Sequence, residues 1–215
     1  MDEPLSNLDA KLRVEMRTVI KEIQHNVGIT TVYVTHDQEE AMAVSDRIAV
    51  MSAGVIQHVG APQDIYLRPA NVFVATFIGR TNIINAKLVV ENGKTFVTTE
   101  SGYKVEFTNI RPECAKDQDV VLSVRPEEFK LTEDDGQANV LRGTVDDCVF
   151  LGLNTHYFIT LESGVKVEII QESSITNAFK AGTKIELTMN AEKVNVFNAD
   201  GSENLLTGVC NDCIK

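Results

Sequence analysis

Residues 1–37 read MDEPLSNLDAKLRVEMRTVIKEIQHNVGITTVYVTHD and decide how the first part of the chain folds. After Ser6, apolar side chains recur among charged ones at the spacing of an amphipathic helix, namely Leu8, Leu12, Met16, Val19, Ile20 and Ile23. Ser6-x-x-Asp9 has the form of a capping box, and Gly28 supplies a left-handed turn that ends the helix. The stretch therefore predicts a helix from Ser6 to Val27.

The run Ile29–Thr35 follows this helix and carries no charge. It is rich in β-branched residues, which predicts a buried strand. His36 comes directly after it, at the carboxyl end of the strand, where open α/β sheets bind their ligands. Asp37 is placed to cap a second short helix through residues 39–42. His36 is therefore the histidine that we expect to have a function.

The character of the sequence changes at Gly79-Arg80-Thr81. Before it, a hairpin and two short helices are predicted at Arg47–Met51 with Val55–Val59, at Pro62–Leu67 and at Val72–Ile78. After it, helical spacing largely ends and short alternating runs are separated by turn dipeptides: Asn92-Gly93, Ser101-Gly102, Asp135-Gly136, Ser163-Gly164 and Asp200-Gly201. We expect two domains, residues 1–80 and an all-β domain of residues 81–215.

The all-β part contains an internal repeat. FVTTESGYKVEF at residues 96–107 aligns with FITLESGVKVEI at residues 158–169, and each copy reads as strand, tight turn and strand. Two related hairpins at this separation predict a small Greek-key barrel of OB type, built as two intertwined half-units.

Composition limits the classes of function and partner that are expected. A chain of 215 residues with 43% hydrophobic content can bury a substantial core, and it contains neither an apolar run long enough to span a membrane nor a signal peptide. We therefore expect no direct membrane insertion. Its 20 basic and 31 acidic residues give a net charge of −11, which repels nucleic acid and argues against it as a partner.

The four cysteines are too few and too scattered for a disulfide framework, which suits a reducing cytoplasmic setting. Cys210-x-x-Cys213 is half of a zinc site, a redox pair, or simply two thiols in the tail. We favour the last interpretation because no second Cys/His pair has matching spacing.

The motifs of the first forty residues resemble those of the nucleotide-binding subunits of ABC transporters. In that family an Asp-Glu-Pro such as Asp2–Pro4 closes the Walker B strand, Ser-Asn-Leu-Asp forms the D-loop, and a histidine after the next strand is the switch histidine. The β-domain, with Phe77–Gly79 before it and Ser123–Glu127 inside it, looks like the regulatory domain of importers of the maltose and polyamine types. The fold implied is an α/β fragment of an ABC ATPase domain followed by an all-β, OB-like domain.

This resemblance implies roles for five residues. Asp2 would hold Mg²⁺, Glu3 would act as general base on the attacking water, and His36 would donate a hydrogen bond to the γ-phosphate. Ser6 and Asp9 would lie in the D-loop, which crosses the dimer interface beside the bound nucleotide. The implied cofactors are ATP and Mg²⁺. The implied partners are a second copy of the chain and the membrane permease subunits, at the cytoplasmic face of the membrane.

No G-x-x-x-x-G-K-[ST] run and no LSGGQ-like signature occurs in the sequence. We therefore expect the C-terminal part of a longer ATPase, inactive by itself. Phe77–Ile84 and Val149–Gly152 resemble the polyamine and iron branch of these importers, which favours polyamine over sugar as the solute and leaves sugar or iron possible. The alternative is a non-catalytic module in which the OB-like domain regulates a partner or binds a small ligand.

Overall fold

The computed structural model describes residues 1–133, 139–173 and 179–213. The protein is mostly β. The first eighty residues contain four helices and a hairpin: α1 (Ala10–Val27), α2 (Gln38–Val44), β1 (Ile48–Ser52), β2 (Val55–Gly60), α3 (Pro62–Leu67) and α4 (Val72–Phe77). The strands that follow are β3 (Asn82–Glu91), β4 (Lys94–Thr99), β5 (Lys104–Phe107), β6 (Gln118–Val124), β7 (Phe129–Glu133), β8 (Leu141–Phe150), β9 (Asn154–Leu161), β10 (Lys166–Glu172), β11 (Lys184–Met189) and β12 (Asn195–Asn198).

Helix α1 begins four residues later than predicted. Asp9 is its N-cap and accepts a hydrogen bond from the Leu12 amide at 3.0 Å, whereas the amide of Ser6 donates to the carbonyl of Glu3 within a series of turns. The capping box predicted at Ser6 is therefore wrong. Gly28 ends the helix in the left-handed conformation with φ 65°, as predicted. None of the residues of α1, all of which the structure describes, is buried.

The strand predicted for Ile29–Thr35 does not form a sheet here. Its one ladder contact is an isolated parallel bridge between Val34 and Asp2, and Val32 is 75% exposed. The β-branched composition gives an extended backbone, but a strand needs neighbours to bury its side chains and pair its amides. Val32 and Val34 form their backbone hydrogen bonds with Met1 and Glu3, in the first three residues of the chain.

The hairpin and the short helices appear where the sequence predicts them. Strands β1 and β2 pair antiparallel, and α3 and α4 cover them. Together they enclose a small core of Ile48, Val50, Ile65, Val74 and Ile78.

The strands after residue 81 form two five-stranded antiparallel sheets, in the orders β12-β6-β3-β4-β5 and β7-β11-β8-β9-β10. Alternate residues point into a shared core; along β3 these are Asn82, Ile84, Ala86 and Leu88. The expected all-β architecture is confirmed. The turn predicted at Asp135-Gly136 lies outside the described residues.

Each sheet takes four strands from one half of the sequence and one from the other. In the first half, β3, β4 and β5 form a meander, β6 returns to pair with β3, and β7 crosses into the other sheet. The second half repeats this with β8, β9 and β10 as the meander, β11 returning to β8, and β12 crossing back. The repeated hairpins also match in detail, since Gly102 and Gly164 have φ 84° and 83° at equivalent turns. Two interlocked half-units therefore share one core, as the repeat predicts.

Helices α3 and α4 are attached to the β part by Arg125, which directly follows β6. The Arg125 side chain is 5% exposed and lies over the Tyr66 ring, 4.2 Å from its centre. Its guanidinium donates to the carbonyls of Tyr66 at 3.1 Å, Ala75 at 2.9 Å and Arg80 at 2.9 Å. One cation thus satisfies carbonyls at the ends of two helices, which have no partner inside their own helices.

The two-domain division at residue 80 stays a prediction, and fragments test it. We expect residues 81–215 to unfold cooperatively, because the large core is drawn entirely from residues 84–206. Residues 46–215 should be more stable by at least about 2 kcal/mol, because they keep the carbonyl partners of Arg125 and Asn204. Urea denaturation of the two fragments measures the difference. A shorter fragment that is unfolded, or as stable as the longer one, would contradict this expectation.

Candidate functional site

Glu3 and His36, the two residues predicted to act in catalysis, lie in contact. Nδ1 of His36 donates to Oε1 of Glu3 at 2.7 Å. The backbone brings them together, since the amide of Glu3 donates to the carbonyl of Val34 at 2.8 Å and the amide of Val34 to the carbonyl of Met1 at 2.9 Å. Both side chains are accessible, with 46% of Glu3 and 76% of His36 exposed. The pair is therefore open to a ligand.

The Glu3 backbone has φ 41°, a left-handed conformation that is uncommon outside glycine. It places a sharp bend directly after the bridge between Asp2 and Val34. Such a conformation persists only where the surroundings hold it, and here the hydrogen bonds to Val34 and His36 do so.

The loop that carries His36 is fixed by the residues on either side of it. The Thr35 hydroxyl donates to Oε2 of Glu40 at 2.5 Å and accepts from the amide of Asp37 at 3.0 Å. The Asp37 carboxylate caps α2 by accepting from the Glu40 amide at 3.0 Å, as predicted. Glu40 is 3% exposed. His36 thus projects from a tight turn with its own buried anchor.

Two arginines of α1 dock the helix against this loop. Arg17 lies 3.2 Å from the carboxylate of Asp37 and 3.1 Å from that of Glu39, and Arg13 lies 3.4 Å from Asp37. Burial alone would raise the pKa of Asp37, but the Glu40 amide, Arg17 and Arg13 together outweigh it and lower the pKa. Asp37 therefore stays ionised and keeps its role as cap.

The other three predicted residues are placed differently. Asp2 is exposed and takes part through its backbone bridge to Val34. Ser6 lies in the exposed turns before α1. The carboxylate of Asp9 is used as the helix cap. The structure therefore brings Glu3 and His36 together and leaves the side chains of Asp2, Ser6 and Asp9 outside the contact.

A shallow depression of about 450 Å³ lies beside His36, lined by Ala10, Arg13, Val14, Arg17, His36, Asp37, Gln38 and Glu39. Within residues 1–133, 139–173 and 179–213, no three His, Cys, Asp or Glu side chains are grouped closely enough to hold a metal ion.

Two residues with structural importance were not identified from the sequence. Gln38 accepts a hydrogen bond from the amide of Gly79 at 2.7 Å. Arg125 is the buried cation that joins the β part to α3 and α4. Neither gives a sequence signal, because their partners are backbone groups far away along the chain.

The contact between Glu3 and His36 predicts a measurable titration. The hydrogen bond and the negative charge of Glu3 raise the pKa of His36 above its ordinary value. The charged pair is complete below the ordinary pKa and is lost as pH rises through the raised one. In an NMR titration, Glu3→Gln should return the His36 pKa towards about 6.5, and Glu15→Gln, on exposed α1, should leave it unchanged. An unperturbed pKa in the parent chain would contradict the contact.

Across the part of the chain that the structure describes, no helix is both long and apolar enough to cross a membrane.

Residues 122–197 match the TOBE domain family. The whole chain is 58% identical over 214 residues to the Fe(3+) ions import ATP-binding protein FbpC of Fusobacterium nucleatum, covering 56% of that protein. Over 91% of its length it is 46% identical to the spermidine/putrescine import ATP-binding protein PotA of Mesorhizobium japonicum, covering 54% of it. The chain thus spans about half the length of the curated relatives it matches. The molybdate-binding protein ModG aligns with 54% of the chain at a TM-score of 0.44 and 17% identity.

Proposed function

We infer that this chain, which is homologous along its whole length to ATP-binding subunits of ABC importers and carries a TOBE domain, works in the ATP-hydrolysing subunit of such an importer. The observation that carries the proposal is the 2.7 Å contact between Glu3 and His36. The two side chains are 33 residues apart in sequence, and both are open to solvent. An accessible carboxylate held by a histidine can serve as a positioned general base for an attacking water.

We assign Glu3 the role of general base. Its carboxylate accepts a proton from the attacking water, and His36 holds that carboxylate in position through Nδ1. When His36 is protonated, its other ring nitrogen also carries a hydrogen and can donate a hydrogen bond to the γ-phosphate, where charge develops in the transition state. Thr35, Asp37 and Glu40 keep the histidine loop in place during this step.

Asp2 is proposed as the ligand of Mg²⁺, which when bound neutralises charge on the nucleotide phosphates. Asp2 directly precedes Glu3, and its backbone is held by the bridge to Val34. Ser6 and Asp9 are proposed to transmit contact with a second subunit. The turns they occupy are exposed, which suits an interface.

The relatives import iron and polyamines, and we propose that this subunit serves an importer of one of these two types. It would act at the cytoplasmic face of the membrane together with permease subunits. We also propose that it pairs with a second copy, because α1 and the following segment leave apolar side chains in solvent, among them Leu12, Val19, Ile23, Val27, Ile29 and Val32. The β part would regulate this assembly.

The alternative is a regulatory or small-ligand module formed by the β part alone. A depression of about 340 Å³ in this part bears on that alternative: its polar lining combines Arg142 and Lys184 with Asp146 and Glu162, and Arg142 already pairs with Glu186. Binding measurements with molybdate, sulfate and phosphate on the 215-residue chain distinguish this module from an ATPase component.

We expect the 215-residue chain to show no ATP hydrolysis and no millimolar or tighter ATP binding, because it contains no phosphate-binding P-loop. We define a chimera in which residues 1–215 replace the matching segment of the Fusobacterium protein. This chimera should hydrolyse ATP. Steady-state phosphate release measures both. Turnover by the 215-residue chain alone that Glu3→Gln abolishes would refute the expected inactivity, and an inactive but folded chimera would refute the proposed function.

A further inference from the structure

A side-chain hydrogen bond leads from the loop of His36 to Gly79, just before the β part, in addition to the packing of Ala41 and Met42 of α2 against the small core that contains Ile78. Gln38 is the first residue of α2, two positions after His36, and its Oε1 accepts from the amide of Gly79 at 2.7 Å. Gly79 lies at the end of α4, just before β3 begins at residue 82. The contact therefore connects the candidate catalytic loop with the point where the chain enters the β part.

Gly79 is held tightly on its far side. It has φ 74°, and a Cβ built on it would lie 2.9 Å from the Tyr66 ring and 3.4 Å from Nη1 of Arg125. The next carbonyl, that of Arg80, accepts from the same nitrogen of Arg125 at 2.9 Å. Gly79 thus has little room to move without displacing the Arg125 side chain, since packed interiors shift in discrete steps.

The chain after Arg80 is tied to β10. The Arg80 guanidinium pairs with the Glu168 carboxylate. Asn82 exchanges two hydrogen bonds with the Glu168 backbone, donating to its carbonyl and accepting from its amide, each at 2.7 Å. Displacement at Gly79 is therefore passed to β10, the edge strand of the second sheet.

We propose that Gln38 is a positioning residue that couples the His36 loop to the β part through Gly79. When the His36 loop shifts, α2 shifts with it, because Thr35, Asp37 and Glu40 fix the turn to the helix. Gln38 then pulls or releases Gly79, and the change reaches Arg125 and Glu168. Coupling of this kind is reciprocal, so a change at Glu168 must also be felt at His36. The contact between Gln38 and Gly79 does not depend on the proposed function, whereas an effect of this contact on ATP turnover rests on that function.

NMR on the 215-residue chain tests the coupling directly. Glu168→Gln removes the charged partner of Arg80, and we expect it to shift the amide signals of Gly79 and the ring signals of His36. In a Gln38→Ala background the shift should persist at Gly79 and disappear at His36. Gln38→Glu keeps an oxygen acceptor for the Gly79 amide and should restore the shift at His36. The proposal would be overturned if Glu168→Gln shifted the His36 signals equally with and without the Gln38 side chain. It would also be overturned if Glu168→Gln did not shift the His36 signals when Gln38 is present.

The same variants in the chimera show whether the coupling affects catalysis. Gln38→Ala should lower kcat about fivefold or more and leave KM for ATP unchanged, and Gln38→Glu should recover most of the loss. Unchanged kcat in Gln38→Ala would overturn the catalytic part of the proposal. A chimera without any turnover would refute the proposed ATPase instead, and the NMR result on the coupling would stand independently.

Discussion

Replacing Glu3 with glutamine is expected to lower ATP turnover of the chimera at least about 100-fold, because a positioned general base contributes about 10² to 10⁴ to the rate. Glutamine keeps the size of the side chain and an oxygen that accepts from Nδ1 of His36 at the distance now found, 2.7 Å. It cannot accept the proton of the attacking water. The loss should therefore appear in kcat, with ATP binding largely kept.

Two variants frame this measurement. His36→Ala should also remove most turnover, because it takes away both the partner of Glu3 and the proposed donor to the γ-phosphate. Glu22→Gln changes the same functional group on the exposed face of α1 and should turn over at the parental rate. A Glu3→Gln chimera within a few-fold of the parental kcat would remove Glu3 from its assigned role.

Arg125→Ala should lower the free energy of unfolding by at least about 3 kcal/mol. Three carbonyls, those of Tyr66, Ala75 and Arg80, would lose their donor in a buried position. The ring of Tyr66 would also lose the cation that covers it. Urea denaturation of the 215-residue chain measures the change.

Arg47→Ala provides the matched control, because the side chain of Arg47 is 62% exposed and pairs at the surface with Asp212. Removing it should cost less than about 1 kcal/mol. Arg125→Lys keeps the charge, but lysine lacks the planar guanidinium that reaches three carbonyls. Its free energy of unfolding should lie between those of the parent and Arg125→Ala. If Arg125→Ala were no more costly than Arg47→Ala, the attachment of α3 and α4 would not depend on this side chain.

Local chemistry made much of the fold predictable. The alternation of β3, the turns at Gly102 and Gly164 and the repeat between residues 96–107 and 158–169 each depend on neighbouring residues, and the interlocked sheets follow from them. Asp37 was predictable as a cap for the same reason. By contrast, the strand expected at Ile29–Thr35 was wrong, because β-branched residues favour extension without supplying the neighbours that make a strand.

The sequence by itself determined the homology, the order of elements and the candidates Asp2, Glu3 and His36, because motif spacing and side-chain chemistry are properties of the linear chain. Only the tertiary structure decided which candidates touch: it joins Glu3 to His36 and uses Asp9 as a cap. It also revealed the backbone contacts that Gln38 and Arg125 make. Their partners are backbone carbonyls and amides, which are common to nearly all residues, so the residue types in the sequence do not indicate which groups will be the partners. Such contacts exist only once the folded chain has brought distant backbone groups within hydrogen-bonding distance.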